Sequence, residues 1–441
     1  MPEQLPWGAP CSDESSISGP TALNALLVGA GITTWRRKHS RLSSLMRSGG
    51  ASEGLAGLAG ACAMKSATAN MPPAACWALP EVVAGRGYPI ESHFVTTADG
   101  YILNLFRIPH GLHTDPVRAR PVVLLQHALL ESSFSYVSNS PWQSLGYILA
   151  DAGYDVWFGN NRGNRYSTNH THLSISSTKF WDFSWDEMAR YDLPAEIDYV
   201  LARTGVARLA YVGHSQGTIQ AFAGFSRNRT LAERVGVFVA LAPIAYNRHI
   251  GGLWGRLGRH LGVMKLFWRL GLRSVLTSRS MVSSLAPSIY RLIPGVTSGV
   301  INWVCGPTVH LNISRGPVIV GHTPAGTSAK NMVHWEQAAH NQAFSMFDYG
   351  SASANLERYN MSTPPKYILG DMNVPTALFL GENDPLSTAA DVGQLLDELH
   401  HDVVFKVETV PTYGHVDFTW AADAHENLYP QVLSAIQSRM L

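Results

Sequence analysis

The sequence predicts an α/β fold in which a mostly parallel central sheet is flanked by helices. Two observations predict it. From about residue 88, short apolar segments rich in strand-forming residues alternate with segments of helical length, and the chain of 441 residues is 46% hydrophobic but only 15% charged. Apolar strands of this kind are typical of sheets covered on both faces, and the alternation is typical of βαβ units. The length fits one large domain with a smaller second element.

Six segments have the composition of buried strands. They are Pro121–Gln126, Tyr154–Phe158, Leu209–Gly213, Val235–Ala242, Val374–Gly381 and Val403–Val410. The segments between them with helical length and pattern are Ser144–Ala152, Met188–Arg203, Gln216–Arg227 and Ala389–Leu399.

The first 80 residues have a different composition. Between Ile17 and Leu79 the only acidic residue is Glu53, whereas six Arg or Lys residues lie among many Ser, Ala and Gly. This Arg- and Ser-rich, acid-poor bias is typical of an organelle-targeting peptide. The positive cluster follows the apolar stretch Ala22–Ile32, which is the wrong order for a secretory signal. A start at Met46, which would give a weak secretory signal, and a poorly ordered extension without a targeting role remain alternatives.

A long insertion interrupts the alternation between about residues 244 and 365. A segment of this length inside an α/β domain is usually functional, so we predict a cap or lid there, between hydrolase-core parts at 81–243 and 366–441. From Val235 to Trp335 the chain has ten Lys or Arg residues and no Asp or Glu. Because the total charge is +1, the remainder carries −9.

Composition excludes several classes of protein. The net charge of +1 argues against a nucleic-acid binder. No apolar run approaches the ~18–20 residues that span a bilayer. The four cysteines, Cys11, Cys62, Cys76 and Cys305, have no C-x-x-C spacing, so neither a zinc module nor a dense disulfide framework is expected.

The strongest chemical signal is the G-x-S-x-G pentapeptide centred on Ser215. A predicted strand precedes it and an amphipathic helix, Gln216–Arg227, follows it. This is the setting of a nucleophile elbow, which presents the serine hydroxyl above the sheet beside a helix N-terminus. A glycine-rich βα turn with a capping serine is the alternative.

A serine becomes nucleophilic when a histidine accepts its proton and an acid orients that histidine. In α/β hydrolases the order along the chain is serine, acid, histidine. Asp384 and His415 each directly follow a predicted strand, and the carboxyl ends of parallel strands meet at one edge of a sheet. The competing acids are Glu382, Asp391 and Asp417, and the competing histidines are His401 and His425.

The tetrahedral intermediate also requires hydrogen-bond donors for its oxyanion. One donor is normally the backbone N–H of the residue after the nucleophile, here Gln216. The second comes from the loop after the third strand, here residues 126–130. This chemistry requires no metal and no organic cofactor.

The chain from about Tyr88 to its C-terminus resembles the acid lipase family of α/β hydrolases, which includes gastric and lysosomal acid lipases and related steryl-ester and triacylglycerol lipases. The matching stretches occur in order over about 350 residues: GYPIESHFVTTADGYIL, LLQHALLESS, DVWFGNNRGN, FWDFSWDEMARYDLPAEIDYV, VGHSQGT, MVHWEQA, FDYG, MNVPTALFLGENDPL and YGHVDFTWA.

The resemblance implies an α/β-hydrolase fold with a helical cap or lid, a triad of Ser215, Asp384 and His415, and oxyanion donors at the N–H groups of Leu129 and Gln216. It also implies a lysosomal, vacuolar or secreted location and an acidic optimum. Two positions depart from the family. Ala128 stands where glycine is usual, and an alanine there is strained if the position needs a positive φ. Cys305 alone cannot form the disulfide found in the cap of the animal enzymes.

These observations predict a serine ester hydrolase that releases fatty acids from neutral lipids, with no obligate protein partner evident. Leu253–Leu272 mixes large apolar residues with four basic ones, so we expect either a helix that lies at a lipid–water interface or one that packs on the core. Four N-x-S/T sequons, at Asn169, Asn228, Asn312 and Asn360, favour a secretory route and glycosylation. The alternatives are a small-ester carboxylesterase or acyltransferase, and a catalytically weak lipid-binding protein.

Overall fold

The computed structural model describes residues 72–75, 77–252, 262–277, 299, 302 and 305–440. The strands in this part of the chain are β1 Glu91–Thr96, β2 Tyr101–Ile108, β3 Val122–Gln126, β4 Asp155–Phe158, β5 Asn169–His170, β6 Leu209–His214, β7 Val235–Leu241, β8 Ser274–Val275, β9 Thr327–Ser328, β10 Thr376–Gly381 and β11 Val404–Val410. The α-helices are α1 Leu79–Ala84, α2 Leu145–Asp151, α3 Trp185–Glu187, α4 Leu193–Thr204, α5 Gln216–Arg227, α6 Arg229–Ala232, α7 Val263–Arg269, α8 Gly316–His322, α9 Ala329–His340, α10 Ala352–Tyr359, α11 Ala389–Glu398, α12 Asp417–Trp420, α13 Ala424–Asn427 and α14 Tyr429–Met440.

A nine-stranded sheet runs through the described part of the molecule in the order β1-β2-β4-β3-β6-β7-β10-β11, with β5 paired to β2. The pairs from β4 to β11 are parallel. Every residue of β3, β6, β7 and β10 is buried, as expected for strands covered on both faces. The predicted α/β fold with a mostly parallel sheet is therefore confirmed.

Alternate side chains of the inner strands enter two cores on opposite faces of the sheet. Tyr211 and Phe238 pack in one core, and their chain neighbours Val212 and Val239 pack in the other. Burial of apolar surface on both faces contributes about 25 cal/mol per Å² and is the main force that fixes the strand order. The sheet thereby holds the carboxyl ends of its parallel strands in fixed positions.

The sequence did not predict the antiparallel hairpin of β1 and β2 at the edge of the sheet. Strand β1 is an edge strand whose residues alternate between half-buried and exposed, except for Val95, which is buried. Its composition includes Glu91, Ser92 and His93, so it lacks the continuous apolar pattern by which the inner strands are found.

The segment between β7 and β10 contains α7–α10 and a two-stranded sheet of β8 and β9. Part of the predicted Leu253–Leu272 stretch forms α7, and residues 253–261 lie outside the described residues. Met264 and Trp268 of α7 pack against Ala329 and Met332 of α9. Leu266 and Leu270 face outward and are 54% and 72% exposed. The helix thus packs one apolar side and exposes another.

The described chain folds onto the body of the molecule before residue 81. Leu79 is fully buried, and Nε2 of His322 contacts the Ala74 carbonyl oxygen at 2.8 Å. Residues 1–71, which carry the predicted targeting signal and the possible start at Met46, lie outside the described residues. No helix in the described ranges is long and apolar enough to cross a membrane.

Candidate active site

Ser215 lies in a sharp turn between β6 and α5. Its φ of 53° and ψ of −114° are strained for a residue with a side chain, as is usual for a serine at a nucleophile elbow. The flanking glycines are required by close approach. A Cβ on Gly213 would lie 2.7 Å from the Gly217 carbonyl oxygen, and a Cβ on Gly217 would lie 2.5 Å from that of Gln126.

The structure brings together the three side chains predicted for the reaction. His415 Nε2 lies 2.7 Å from Ser215 Oγ, and His415 Nδ1 lies 2.8 Å from Asp384 Oδ2. Ser215, Asp384 and His415 are only 2%, 6% and 5% exposed. Because Asp384 can only accept a hydrogen bond when ionised, it fixes the Nδ1–H tautomer and leaves Nε2 free to accept the serine proton.

Asp384 is itself held rigidly by the backbone that follows it. Its Oδ1 accepts hydrogen bonds from the N–H groups of Leu386 at 2.8 Å and Ser387 at 3.0 Å. The Ser387 hydroxyl in turn donates to the Pro243 carbonyl oxygen at 2.7 Å. This arrangement leaves Oδ2 to His415, so the acid presents one oxygen in a fixed direction.

The competing acids and histidines lie elsewhere or have other partners. Asp391 accepts from His249, and Asp417 accepts from the Gly414 N–H. His401 is exposed and precedes β11, at the end of the strand opposite to His415. His425 lies in α13 and stacks edge-on against Trp142. None of these four contacts Ser215.

The loop after β3 approaches the nucleophile from the neighbouring strand, because β3 pairs with β6. Ala128 is 4% exposed and does not have a positive φ, so the strain considered for this position is absent. The positive φ occurs two residues later, at Leu130, where it is 61°. The Leu130 carbonyl oxygen accepts a hydrogen bond from the Ala325 N–H at 2.6 Å, which ties the loop to the segment after β7.

A buried polar network supports this loop from behind. His127 Nε2 accepts hydrogen bonds from the Asn161 N–H and the Asn164 side chain, both at 3.1 Å. Burial lowers the pKa of His127 to about 4, so the ring is neutral and can accept there. Gln126 donates to Asn161 at 2.8 Å. The GNNRGN stretch after β4 therefore positions the loop beside Ser215.

The Gln216 side chain connects the elbow to α9, which the sequence did not reveal. Its Oε1 accepts hydrogen bonds from Asn331 Nδ2 at 2.7 Å and Trp335 Nε1 at 2.9 Å. Leu129 packs against the cluster formed by Val275, Ala329 and Met332. Both residues predicted as oxyanion donors therefore contact the segment between β7 and β10. Trp335 lies in the MVHWEQA stretch, which entered the sequence-based prediction only as part of the family resemblance.

A second cluster, around the buried Lys330, fastens α9 to the core. Lys330 Nζ lies 3.1 Å from Glu187 and 3.2 Å from Asp182. Asp186 accepts from the Phe347 N–H at 2.8 Å and the Tyr367 hydroxyl at 2.5 Å. Burial, then the neighbouring Glu187, raise the pKa of Asp186 to about 7.

Potential metal ligands gather at one place in the described chain, the exposed turn of His400, His401 and Asp402. This turn precedes β11 and is therefore at the opposite edge of the sheet from Ser215.

The sequence and fold match known proteins over most of the chain. A family model described as the α/β hydrolase fold matches residues 121–422, and one described as a partial α/β-hydrolase lipase region matches residues 79–140. Gastric triacylglycerol lipase from Bos taurus is 42% identical over 375 residues, which cover 82% of this chain and 91% of that protein. The chain belongs to the acid lipase family. Lysosomal acid lipase/cholesteryl ester hydrolase from Homo sapiens is likewise 42% identical, over 81% of this acid lipase and 90% of the human protein.

Solved structures agree on the fold. A soluble variant of monoglyceride lipase from Saccharomyces cerevisiae superposes with a TM-score of 0.50 at 12% identity, covering 80% of this chain and 96% of that one. The predicted family and fold and the prediction of a carboxylic ester hydrolase are thus confirmed.

Proposed function

We propose that this acid lipase releases fatty acids from triacylglycerols or steryl esters through an acyl-enzyme on Ser215. The observation that carries the proposal is the hydrogen-bonded chain from Ser215 through His415 to Asp384, at the carboxyl ends of three parallel strands. Relatives named for triacylglycerol and cholesteryl ester hydrolysis support the substrate class.

The geometry supports a two-step reaction. Ser215 Oγ attacks the ester carbonyl carbon while His415 Nε2 accepts the hydroxyl proton. The imidazolium then donates that proton to the departing alcohol, so the C–O bond of the ester breaks and the acyl group stays on Oγ. A water molecule, deprotonated by the same nitrogen, attacks the acyl-enzyme and releases the fatty acid. Asp384 orients the ring and stabilises its positive charge throughout.

Two backbone N–H groups, those of Leu129 and Gln216, are the proposed oxyanion donors. Gln216 is the first residue of α5, so its N–H has no acceptor within the helix. Its side chain is fixed by Asn331 and Trp335, which limits movement of the backbone at that point. Fixed donors of this kind usually contribute about 10²–10³-fold to kcat.

The decisive experiment measures fatty-acid release from emulsified triolein and cholesteryl oleate between pH 4.5 and 8, with wild-type protein and Ser215→Ala. We expect release by the wild type and none above background in the folded variant. Activity on a short p-nitrophenyl ester without release from either lipid would instead identify a small-ester carboxylesterase. A folded wild type that hydrolyses none of the three substrates and does not react with a fluorophosphonate would favour a lipid-binding protein.

The segment at 244–365 is proposed as a cap whose positive charge attracts a lipid–water interface. Lys265 and Arg269 lie on α7 beside the exposed Leu266 and Leu270. Exposed apolar and basic side chains on one short helix favour an anionic lipid surface, including one that accumulates fatty-acid product.

The variant Arg269→Glu/Leu270→Ser tests this surface. We expect weaker binding to vesicles that contain anionic lipid, with unchanged hydrolysis of a water-soluble ester, because neither side chain touches the reacting groups. Arg229→Glu is the matched control, since that arginine is 82% exposed on α6 outside the proposed cap. Equal vesicle binding by both variants would argue against an interfacial role for α7.

A lysosomal or secreted location is proposed from the names of the relatives and the sequons. Asn169, Asn228 and Asn360 are exposed, whereas Asn312 is half-buried. Treatment of the protein from its native cells with an endoglycosidase would decrease its apparent mass if these sites carry glycans, and an unchanged mass together with an organellar location of the tagged chain would favour the transit-peptide interpretation.

A further inference from the structure

A buried glutamate and histidine lie directly behind the reacting imidazole. His214 is fully buried, and its Nε2 lies 2.9 Å from the His415 carbonyl oxygen. Its Nδ1 lies 3.8 Å from Glu131 Oε2, and the Glu131 side chain is 5% exposed. The His214 and His415 rings are 5.3 Å apart between centroids. Both residues lie in stretches that carry the family resemblance, but the proposed mechanism does not use this pair.

One of the two facing side-chain atoms must carry a proton. A carbonyl oxygen only accepts, so His214 Nε2 must carry a hydrogen. In a neutral ring Nδ1 would then present a lone pair to the carboxylate. His214 Nδ1 and Glu131 Oε2 are both buried, and neither has a hydrogen-bond partner among the described residues, because the 3.8 Å between them is too long for a hydrogen bond. Two facing acceptors without a proton would be strongly unfavourable in a buried site.

Among the described groups near Glu131, His214 is the one that can supply the compensating positive charge. The other histidine near Glu131 is His127, whose pKa burial lowers to about 4, so it is uncharged. Burial raises the pKa of the Tyr136 and Cys305 side chains, which also face the glutamate and are therefore neutral. Burial alone would raise the pKa of Glu131, but the neighbouring His214 and Ser135 hold it below its usual value. The nearby Asp384 carboxylate already has His415 as its partner.

We propose that Glu131 and His214 form a buried ion pair that fixes the His415 main chain and places a positive charge beside the His415 ring. The proposal rests on the proposed function of His415 as the base. The His214 ring, which carries the positive charge of the pair, lies 5.3 Å from the His415 ring. A second positive charge on His415 is then disfavoured in the free enzyme. The base therefore stays neutral, and able to accept the serine proton, further into acidic solution.

The kinetic test compares kcat/KM against pH for wild type and Glu131→Gln on a water-soluble ester. Glutamine keeps the size of the side chain and can donate to Nδ1 of a neutral His214, so the position is kept and the charge is lost. We expect the acid limb to move to higher pH by about half a unit or more. Glu196→Gln is the matched control. Burial and Asp192 raise the pKa of Glu196 well above its usual range, which favours the uncharged form of that buried glutamate. The acid limb of Glu196→Gln should therefore stay where it is in the wild type.

The second readout needs no substrate. Spectra of ¹⁵N-histidine-labelled Ser215→Ala protein should contain one imidazole with both nitrogens protonated from pH 5 to pH 8, and Glu131→Gln in the same background should lack it. A neutral His214 in that spectrum overturns the proposal even if Glu131→Gln does not fold. Coincident acid limbs in the kinetic test overturn it as well. Absence of lipid hydrolysis with an intact imidazolium signal would refute the proposed function but not the ion pair.

Discussion

At the scale of single residues, the proposed reaction depends on orientation more than on composition. Eighteen histidines occur in the chain, and the structure brings one of them within 2.7 Å of Ser215 Oγ. Asp384 reaches that histidine through one oxygen because two backbone N–H groups occupy the other. A change that keeps the shape of either side chain but alters its donors and acceptors is therefore the most informative kind of substitution.

Asp384→Asn should lower kcat by about 10³–10⁴-fold with little change in stability. The asparagine oxygen can still accept from Leu386 and Ser387, so its NH₂ group faces His415 Nδ1 and favours the wrong tautomer, which cannot accept the serine proton. Steady-state kinetics on a soluble ester and a thermal melt measure the two effects. A loss of less than tenfold in kcat would argue that Asp384 does not orient the base.

Ala128→Gly should not increase activity. The backbone at Ala128 does not have a positive φ, so glycine relieves no strain and only adds flexibility to the unfolded chain. We expect kcat/KM within about twofold of wild type and a loss of about 0.5–1 kcal/mol in the free energy of unfolding. A severalfold gain in kcat/KM would mean that the alanine does distort the oxyanion loop.

At the scale of elements, α9 supports the active site from the segment between β7 and β10. Its Asn331 and Trp335 bind the Gln216 side chain, and its Lys330 pairs with Glu187 at the core. These contacts hold α9 in a fixed position beside Ser215. We expect any lid movement to take place in other parts of the proposed cap.

Trp335→Phe should reduce kcat/KM by about 2- to 10-fold, since one hydrogen bond to Gln216 is lost and the bond from Asn331 remains. Trp181→Phe is the control, because it also removes one indole hydrogen bond, to the Ile175 carbonyl oxygen, away from Ser215. If both variants lose the same amount of stability and the same amount of kcat/KM, the loss of activity in Trp335→Phe does not come from its hydrogen bond to Gln216.

Titration of Asp186 should make the stability of the folded protein depend on pH. The pKa of Asp186 is raised to about 7 in the folded protein, so the folded state favours the protonated acid. This stabilisation is fully present below the ordinary pKa of an aspartate and is lost as the pH rises through about 7.

Asp186→Asn cannot titrate, so the change in its melting temperature between pH 5 and pH 7.5 should lack this contribution. We expect the wild type to lose more stability than the variant over that interval, even if the variant is less stable at both pH values. An identical pH dependence for the two proteins would show that Asp186 titrates in its ordinary range.

At the scale of the whole molecule, the sequence predicted what depends on local pattern. The inner strands and α5 were found because burial on both faces leaves continuous apolar segments and a helix leaves periodic ones. The hairpin of β1 and β2 was missed because His93 and its neighbours occupy an edge strand. The positive φ at Leu130 was not predicted, since no pattern of side chains reports φ at a non-glycine residue; the sequence raised that question only for Ala128.

For the same reason, the sequence did not predict contacts between distant segments of the chain. The sequence placed Ser215, Asp384 and His415 at strand ends, but nothing in it indicated that Glu131 would face His214 or that Asn331 would bind Gln216. Those contacts depend on how the loop after β3 and the segment after β7 pack, which only the three-dimensional arrangement determines.

Strand β10 pairs with β7 although a long segment of chain separates them, and this has a consequence for synthesis of the protein. Ser215 and His415 are separated by 200 residues of chain. A ribosome that adds about 5–20 residues per second therefore incorporates His415 about 10–40 s after Ser215. Throughout that interval the nascent chain has the proposed nucleophile without its proposed base. With the proposed triad, the protein cannot hydrolyse lipid until β10 and β11, which precede Asp384 and His415, join the sheet.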